Sequence, residues 1–196
     1  MYPNQLENLI FALQRLPGVG AKTAERYAFT ILDWDAEKRK DLIASLNGID
    51  QIQHCEICGN LSSGKICSIC ENHNRNQNII CVVSYPKDIV AIENMQSYEG
   101  VYHVLNGLIN TSKGILPDML NINALLKRIN EETEEVILAV DPTIEGETTA
   151  LYLEKLLQGH VKVSKLAHGI PVGGHLDYAD ARTLAKAFEG RSSNEK

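Results

Sequence analysis

Four cysteines fall close together: Cys55 and Cys58 form one Cys-x-x-Cys pair, Cys67 and Cys70 another, with eight residues between them. Two such pairs can place four thiolates around one tetrahedral Zn²⁺. A four-thiolate site keeps no open coordination position, so its ion is structural and not a reacting centre. The residues around the pairs, with Gly59 and Gly64, are too few and too polar to bury a core of their own. A bound metal supplies the missing folding free energy. Redox chemistry would want one Cys-x-x-Cys at a strand-to-helix turn, not two in a glycine-rich loop. His54 and His73 flank the quartet, are redundant beside four sulfurs and read as surface residues. Cys81 lies inside an apolar run and reads as a small core residue.

A second pattern is Leu16-Pro17-Gly18-Val19-Gly20 followed by Lys22 and, one turn on, Arg26. Glycines there let the chain turn tightly and let a ligand approach the backbone. A helix starting just beyond them presents free amide groups, a ready phosphate site, and Lys22 and Arg26 can flank the same phosphate. Such contacts fix position without reading base sequence. The plainer alternative is a capping turn between two core helices. A third pattern, Asp141-Pro-Thr143-Ile-Glu145-Gly-Glu147, sets carboxylates just past an apolar strand, where open α/β sheets place ligands. Asp141, Glu145 and Glu147 can hold Mg²⁺ through oxygen ligands, or can simply complement the dipole of a helix they begin. Gly169 to Gly174 lacks the Gly-Lys-Ser/Thr ending of a nucleotide P-loop and reads as a turn ordered by packing, with His168 and His175 beside it.

The elements that must position these residues follow from periodicity. Leu6, Leu9, Ile10, Leu13 and Leu16 recur at helical spacing, and helices are expected over 21–31 and 36–46, the latter ended by Asn47 and Gly48. From Ile79 the chain alternates apolar strands (79–83, 101–105, 136–140, 161–166) with helices (88–95, 122–130, 145–157). Strands apolar on both faces indicate a mainly parallel, two-sided sheet. A last helix is expected over 178–188, then a disordered polar tail from Arg191. The fold class is α/β in several modules: a helical segment 1–53, the cysteine motif 54–72, the α/β domain 78–166 and a C-terminal segment 167–196.

Net charge is −6 over 196 residues, which argues against coating DNA by bulk charge. The charge is uneven: residues 1–31 carry Arg15, Lys22 and Arg26 against Glu7 and Glu25, whereas from Cys81 onward there are 11 basic and 16 acidic residues. Nucleic-acid contact is therefore expected near the N-terminus, and a metal or a basic protein partner on the acidic half. No apolar run of membrane-spanning length and no secretory signal is visible, so the expected location is a reducing cytoplasm.

Taken in order, these motifs resemble the RecR family of bacterial recombination mediators. The resemblance rests on Leu16 to Gly20, the cysteine quartet, Pro142 to Glu147 with Ala150-Leu-Tyr152, and Ala167 to Gly174, and it spans nearly the whole chain. It implies a helix-hairpin-helix, a four-cysteine zinc motif, a Toprim domain and a C-terminal helical segment. It also implies a cytoplasmic, nucleoid-associated DNA-repair protein that acts with RecO, and with RecF, to load RecA onto single-stranded DNA covered by single-strand-binding protein. Members form dimers or ring-like tetramers that bind single- and double-stranded DNA without sequence specificity. By similarity, Arg15, Gly18, Gly20, Lys22 and Arg26 belong to the DNA-binding hairpin, and Asp141, Glu145 and Glu147 to the surface contacting RecO. One departure bears on the alternative reading as a Mg²⁺-dependent Toprim nuclease or primase. Catalytic Toprim domains carry a Glu after the first strand and an Asp-x-Asp after a later one; here Ser84 and Thr143 stand at two of those places. Two-metal chemistry needs several carboxylates, so a non-enzymatic adaptor is expected, with room for a single weak Mg²⁺ site. The closed zinc site, set between hairpin and α/β domain, reads as a staple.

Overall fold

The computed structural model describes residues 2–191. The chain divides into two compact units, Met1–Ile52 and Gln53–Lys196. In the first, α1 (Asn4–Leu13) and α2 (Ala21–Leu32) form a hairpin, followed by α3 (Ala36–Gly48) and a 3₁₀ turn, Ile49–Gln51. Beyond α1 the chain tightens through hydrogen bonds from Leu16 N to Leu13 O and from Val19 N to Leu16 O, both 3.1 Å. Gly18 sits at φ +78°, a conformation that costs a side-chain-bearing residue steric strain. Asp35 caps α3, accepting from Lys38 N at 2.8 Å. Asn47 and Gly48, expected to stop α3, are its last residues, because Ile49 keeps helical dihedrals and the chain runs on into the 3₁₀ turn. Only Ala24 and Ala28 are buried among the described residues of this unit, one helical turn apart on α2.

The second unit opens with the cysteine module: β1 (Gln53–His54) antiparallel to β2 (Leu61–Ser62), then α4 (Ser68–Glu71). Four parallel strands follow: β3 (Asn76–Val83), β4 (Gly100–Val104), β5 (Glu135–Ala139) and β6 (Lys162–Lys165), ordered β4-β3-β5-β6. The connecting helices are α5 (Pro86–Glu93), α6 (Ile122–Arg128) and α7 (Ile144–Leu157). One face of the sheet, with Ile80, Val82, Val136 and Leu138, packs with Ile122 and Leu125 of α6 and Leu153 and Leu157 of α7. The other, with Cys81, Val83, Tyr102 and Val104, packs with Ile89 of α5. Helices cover both faces, which is why the strands read as continuous apolar runs. Burial pushes the Cys81 thiol up to about 12, so it serves as a neutral core group.

Helix starts differ from expectation where capping overrides periodicity. Pro86 occupies the first turn of α5, and Asp88 Oδ2 accepts from Tyr85 N at 2.8 Å, so the helix begins before Asp88. The final helix, α8 (Ala181–Glu189), begins later than expected: Asp180 Oδ1 caps it, accepting from Arg182 N (2.9 Å) and Thr183 N (3.0 Å), while Leu176–Tyr178 is a separate 3₁₀ turn. The tail expected from Arg191 lies, from 192 on, outside the described residues. Among the described residues no helix is long and apolar enough to cross a membrane.

Two buried polar groups fix long connections. Thr149, within α7, accepts from Ile109 N at 2.9 Å and donates to Glu145 O at 2.7 Å, pinning the loop after β4. His103, fully buried on β4, donates from Nε2 to Asn121 O (2.7 Å) and accepts at Nδ1 from Arg128 Nη1 (3.2 Å). Burial, with the Arg128 charge beside it, lowers the imidazole to about 4, against an ordinary 6.5. The unfolded chain therefore binds a proton between those values that the folded chain refuses. Stability is complete above pH 6.5 and is lost as pH falls toward 4, by about 3 kcal/mol from this group. Denaturant titrations at pH 6.5 and pH 4 should show that part of the loss disappearing in His103→Gln, whose amide nitrogen can still donate to Asn121 O.

Candidate functional site

The thiol sulfurs of Cys55, Cys58, Cys67 and Cys70 all lie within 4.8 Å of one another, and all four residues are buried. Cys55 and Cys58 bracket the turn between β1 and β2; Cys67 caps α4 and Cys70 lies within it. Cys67 N donates to Cys55 Sγ at 3.3 Å and Asn60 N to Cys58 Sγ at 3.5 Å. Amide donors of this kind stabilise thiolates. Without a metal, a hydrogen bond from Cys70 holds the Cys58 thiol down at about 5. The same bond, with burial, drives Cys70 far up, and burial raises Cys67. Four gathered sulfurs match a tetrahedral cation. The module's apolar packing is confined to the sulfurs and Ile69. His54 and His73 are exposed; His54 Nδ1 lies 2.9 Å from Gly59 O. The module seats on the sheet through Val104 N, which donates to Cys58 O at 2.7 Å.

In the hairpin, Gly20 is the N-cap of α2 at φ −78° and offers no side-chain cap, leaving the first amides of the helix to an outside acceptor. A Cβ at Gly20 would meet nothing within 4 Å, so the chain's own packing does not demand glycine there. Arg15, Lys22 and Arg26 are all exposed.

Strand order reverses between β3 and β5, so the crevice where open α/β sheets bind ligands lies at Ser84 and Asp141. Ser84 is fully buried and its hydroxyl has no hydrogen-bond partner. Thr143 caps α7, its Oγ1 accepting from Gly146 N at 3.1 Å. A Cβ at Gly146 would collide with the Asp141 carbonyl oxygen, so glycine is required for the loop to lie against the helix start. Asp141 is exposed; Glu145 accepts from Asn110 Nδ2 at 3.1 Å, and Glu147 lies 3.6 Å from His168 Nδ1. These three acids are not brought together: among the described residues the cysteine quartet is the only such group gathered closely enough to hold a metal ion. Of the two readings the sequence leaves open for Asp141, Glu145 and Glu147, the placement gives no support to joint Mg²⁺ ligation. The loop from Gly169 to Gly174 turns through a hydrogen bond from Gly174 N to Pro171 O, 2.9 Å, but Val172 is fully exposed, so the loop is not ordered by burial as expected.

Four family models match successive parts of the chain: the RecR helix-hairpin-helix over 6–49, the RecR four-cysteine zinc finger domain over 52–72, the Toprim domain over 78–167 and the RecR C-terminal model over 169–192. The chain belongs to the RecR family. Its role accordingly lies in recombinational DNA repair, and the quartet is the site of a structural zinc ion.

Within this RecR-family frame, the Toprim crevice gathers no group of three metal-ligating side chains among the described residues. One carboxylate position is a serine sealed in the core, and another is a threonine spent on a helix cap. Sequence reasoning missed Val104, whose amide seats the zinc module on Cys58 O, and Asn121, whose Nδ2 donates to Val104 O at 3.1 Å; no local pattern marks either. Ser84→Glu places a carboxylate where no water or partner reaches, and should destabilise the fold by several kcal/mol. Ser84→Ala removes only an unpaired hydroxyl and should be neutral or stabilising by about 1 kcal/mol. Urea midpoints of the two variants check both outcomes.

Proposed function

We propose that this RecR-family chain is a non-enzymatic DNA-binding adaptor that acts with RecO, and with RecF, to promote loading of RecA onto single-stranded DNA. The observation that carries the reading is the hairpin: an uncapped helix start, an open face at Gly20, and exposed Lys22 and Arg26 one turn apart. Backbone amides and two cations suit a phosphate and read no bases. Arg15 and Gly18 complete that surface. Two or three cations per copy give a weak site, which favours an oligomer, a dimer or a ring of four, that brings several hairpins to one DNA. The thin packing of the helical unit supports self-association, since Phe11, Leu32, Ile43 and Leu46 remain exposed. Clustered hairpins would create a local positive field despite the net charge of −6.

The acidic loop of the Toprim domain is proposed as the RecO-contacting surface, with Asp141 the most accessible acid and Glu145 and Glu147 set in place by Asn110 and His168. The buried Ser84 and the capping Thr143 support an adaptor over a Mg²⁺-dependent nuclease or primase.

Lys22→Ala combined with Arg26→Ala should weaken DNA binding and reduce the slope of log affinity against log salt by about 2 on duplex DNA, with zinc content and helicity unchanged. An unaltered slope in the folded double variant refutes the assigned surface. Glu147→Lys should abolish capture of the chain by immobilised RecO while DNA affinity at matched salt is retained; capture at the wild-type level removes the acidic loop from the partner surface.

A further inference from the structure

α8 faces the wrong way for a packing helix. It is amphipathic, with Ala181, Leu184, Ala185 and Phe188 on one side and Arg182, Lys186 and Glu189 on the other. A helix laid on a domain ordinarily buries its apolar side. α8 buries no residue, leaves Ala181, Ala185 and Phe188 exposed, and lines a cleft with Arg182, Thr183 and Lys186 instead. The cleft holds about 420 Å³, within the range of small-ligand sites. Its apolar lining comes from Val140, just past the end of β5, and from Leu166 and Ala167, just past the end of β6. Open α/β sheets bind ligands outside the carboxyl ends of their strands, and here the C-terminal segment supplies the opposite wall.

The acids that line the cleft are already engaged, and the cations are not. Asp180 accepts from Arg182 N, from Thr183 N and, at 2.7 Å, from Thr183 Oγ1. Glu147 faces His168 Nδ1 at 3.6 Å. Arg182 and Lys186 stand one turn apart on the same side of α8. Among the described residues the Arg182 guanidinium has no hydrogen-bond or ion-pair partner; only its backbone amide is used. Lys186 meets Glu189 alone, 3.4 Å away and largely exposed. An exposed pair of that kind contributes little, so an incoming anion can take Lys186 at small cost.

We propose that this cleft binds an organic phosphate of nucleotide size, its phosphate held by Arg182 and Lys186 and its less polar body laid against Val140, Leu166 and Ala167. A phosphomonoester dianion matches two cations: the guanidinium fork takes two of its oxygens and the ammonium acts as a point charge. A bare phosphate would leave the apolar lining and most of the space unused. The ligand is a free nucleotide or the 5′-phosphorylated end of a DNA strand, which share this chemistry. The site is separate from the hairpin and stands whether or not the hairpin binds DNA.

Isothermal titration calorimetry on the full, zinc-loaded chain at low salt tests it with deoxyadenosine monophosphate, deoxyadenosine and inorganic phosphate. The monophosphate should bind saturably and more tightly than either of the others. Arg182→Ala combined with Lys186→Ala should weaken it about tenfold or more, the change expected from losing charge-assisted hydrogen bonds. Ala167→Phe, which fills the cleft and keeps every charge, should weaken it as much. Lys22→Ala combined with Arg26→Ala, in the hairpin, should bind it as wild type does. All five positions are exposed, so the variants should keep the wild-type circular dichroism. Absence of saturable binding to wild type overturns the proposal, as does binding that survives either cleft variant or is lost in the hairpin variant. Equal affinity for inorganic phosphate refutes the part given to the apolar lining. Competition in the hairpin variant identifies the source. Displacement of the monophosphate by a 5′-phosphorylated oligonucleotide and not by its 5′-hydroxyl form upholds the site as one for strand ends, and displacement by neither upholds it as one for a free nucleotide. Displacement by both refutes recognition of a phosphomonoester.

Discussion

Four sulfurs stand in for a hydrophobic core. The cysteine module has Ile69 as its one apolar companion, and Ile69 packs at the same time against the sheet cluster of Cys81, Val83 and Tyr102. Coordination therefore does two things at once. It closes a loop too short to fold by burial, and it fixes the backbone at Cys58 where β4 needs an acceptor. The first task is local and the second extends to the sheet. The unit Gln53–Lys196 combines them without a break.

The parallel sheet sets the other constraint. Reversal of strand order at β3 and β5 creates a crevice, and in this chain the crevice has been turned to structural use. Thr143 caps α7, Gly146 allows the loop to lie against the helix, and Asn110 and His168 occupy two of the acids. A crevice whose polar groups already serve one another has little left with which to hold a cation. What it presents outward is a shaped acidic loop, a better surface for a protein than for a phosphate.

Much of this was legible before the fold was seen. Cys-x-x-Cys spacing is a local property of ligand geometry, and fully apolar strands report a sheet covered on both faces. Elements whose ends are set by capping were less legible: α8 starts just after Asp180 because a side-chain oxygen takes two amides there, and periodicity carries no trace of it. The acidic loop left two readings open, and the sequence itself holds a reason to prefer one. Glu145 and Glu147 are two apart on one helix, and such residues do not face each other, so they were never placed to share an ion. The covering of β4 was out of reach. Arg75, Asn121 and Arg128 come from separate segments, and only the folded chain brings their donors to alternate carbonyls of one strand.

The glycines at 20 and 146 look alike in sequence and differ in what constrains them. A side chain at 146 meets the Asp141 carbonyl, so selection for a folded protein is enough to hold glycine there. A side chain at 20 meets open space, so a screen that scores only folding passes it without penalty. Any constraint that does hold glycine at position 20 would have to come from outside the chain's own packing. Comparing tolerance at these two sites in a library scored first for folding and then for repair would separate the sequence this protein needs to exist from the sequence it needs to work.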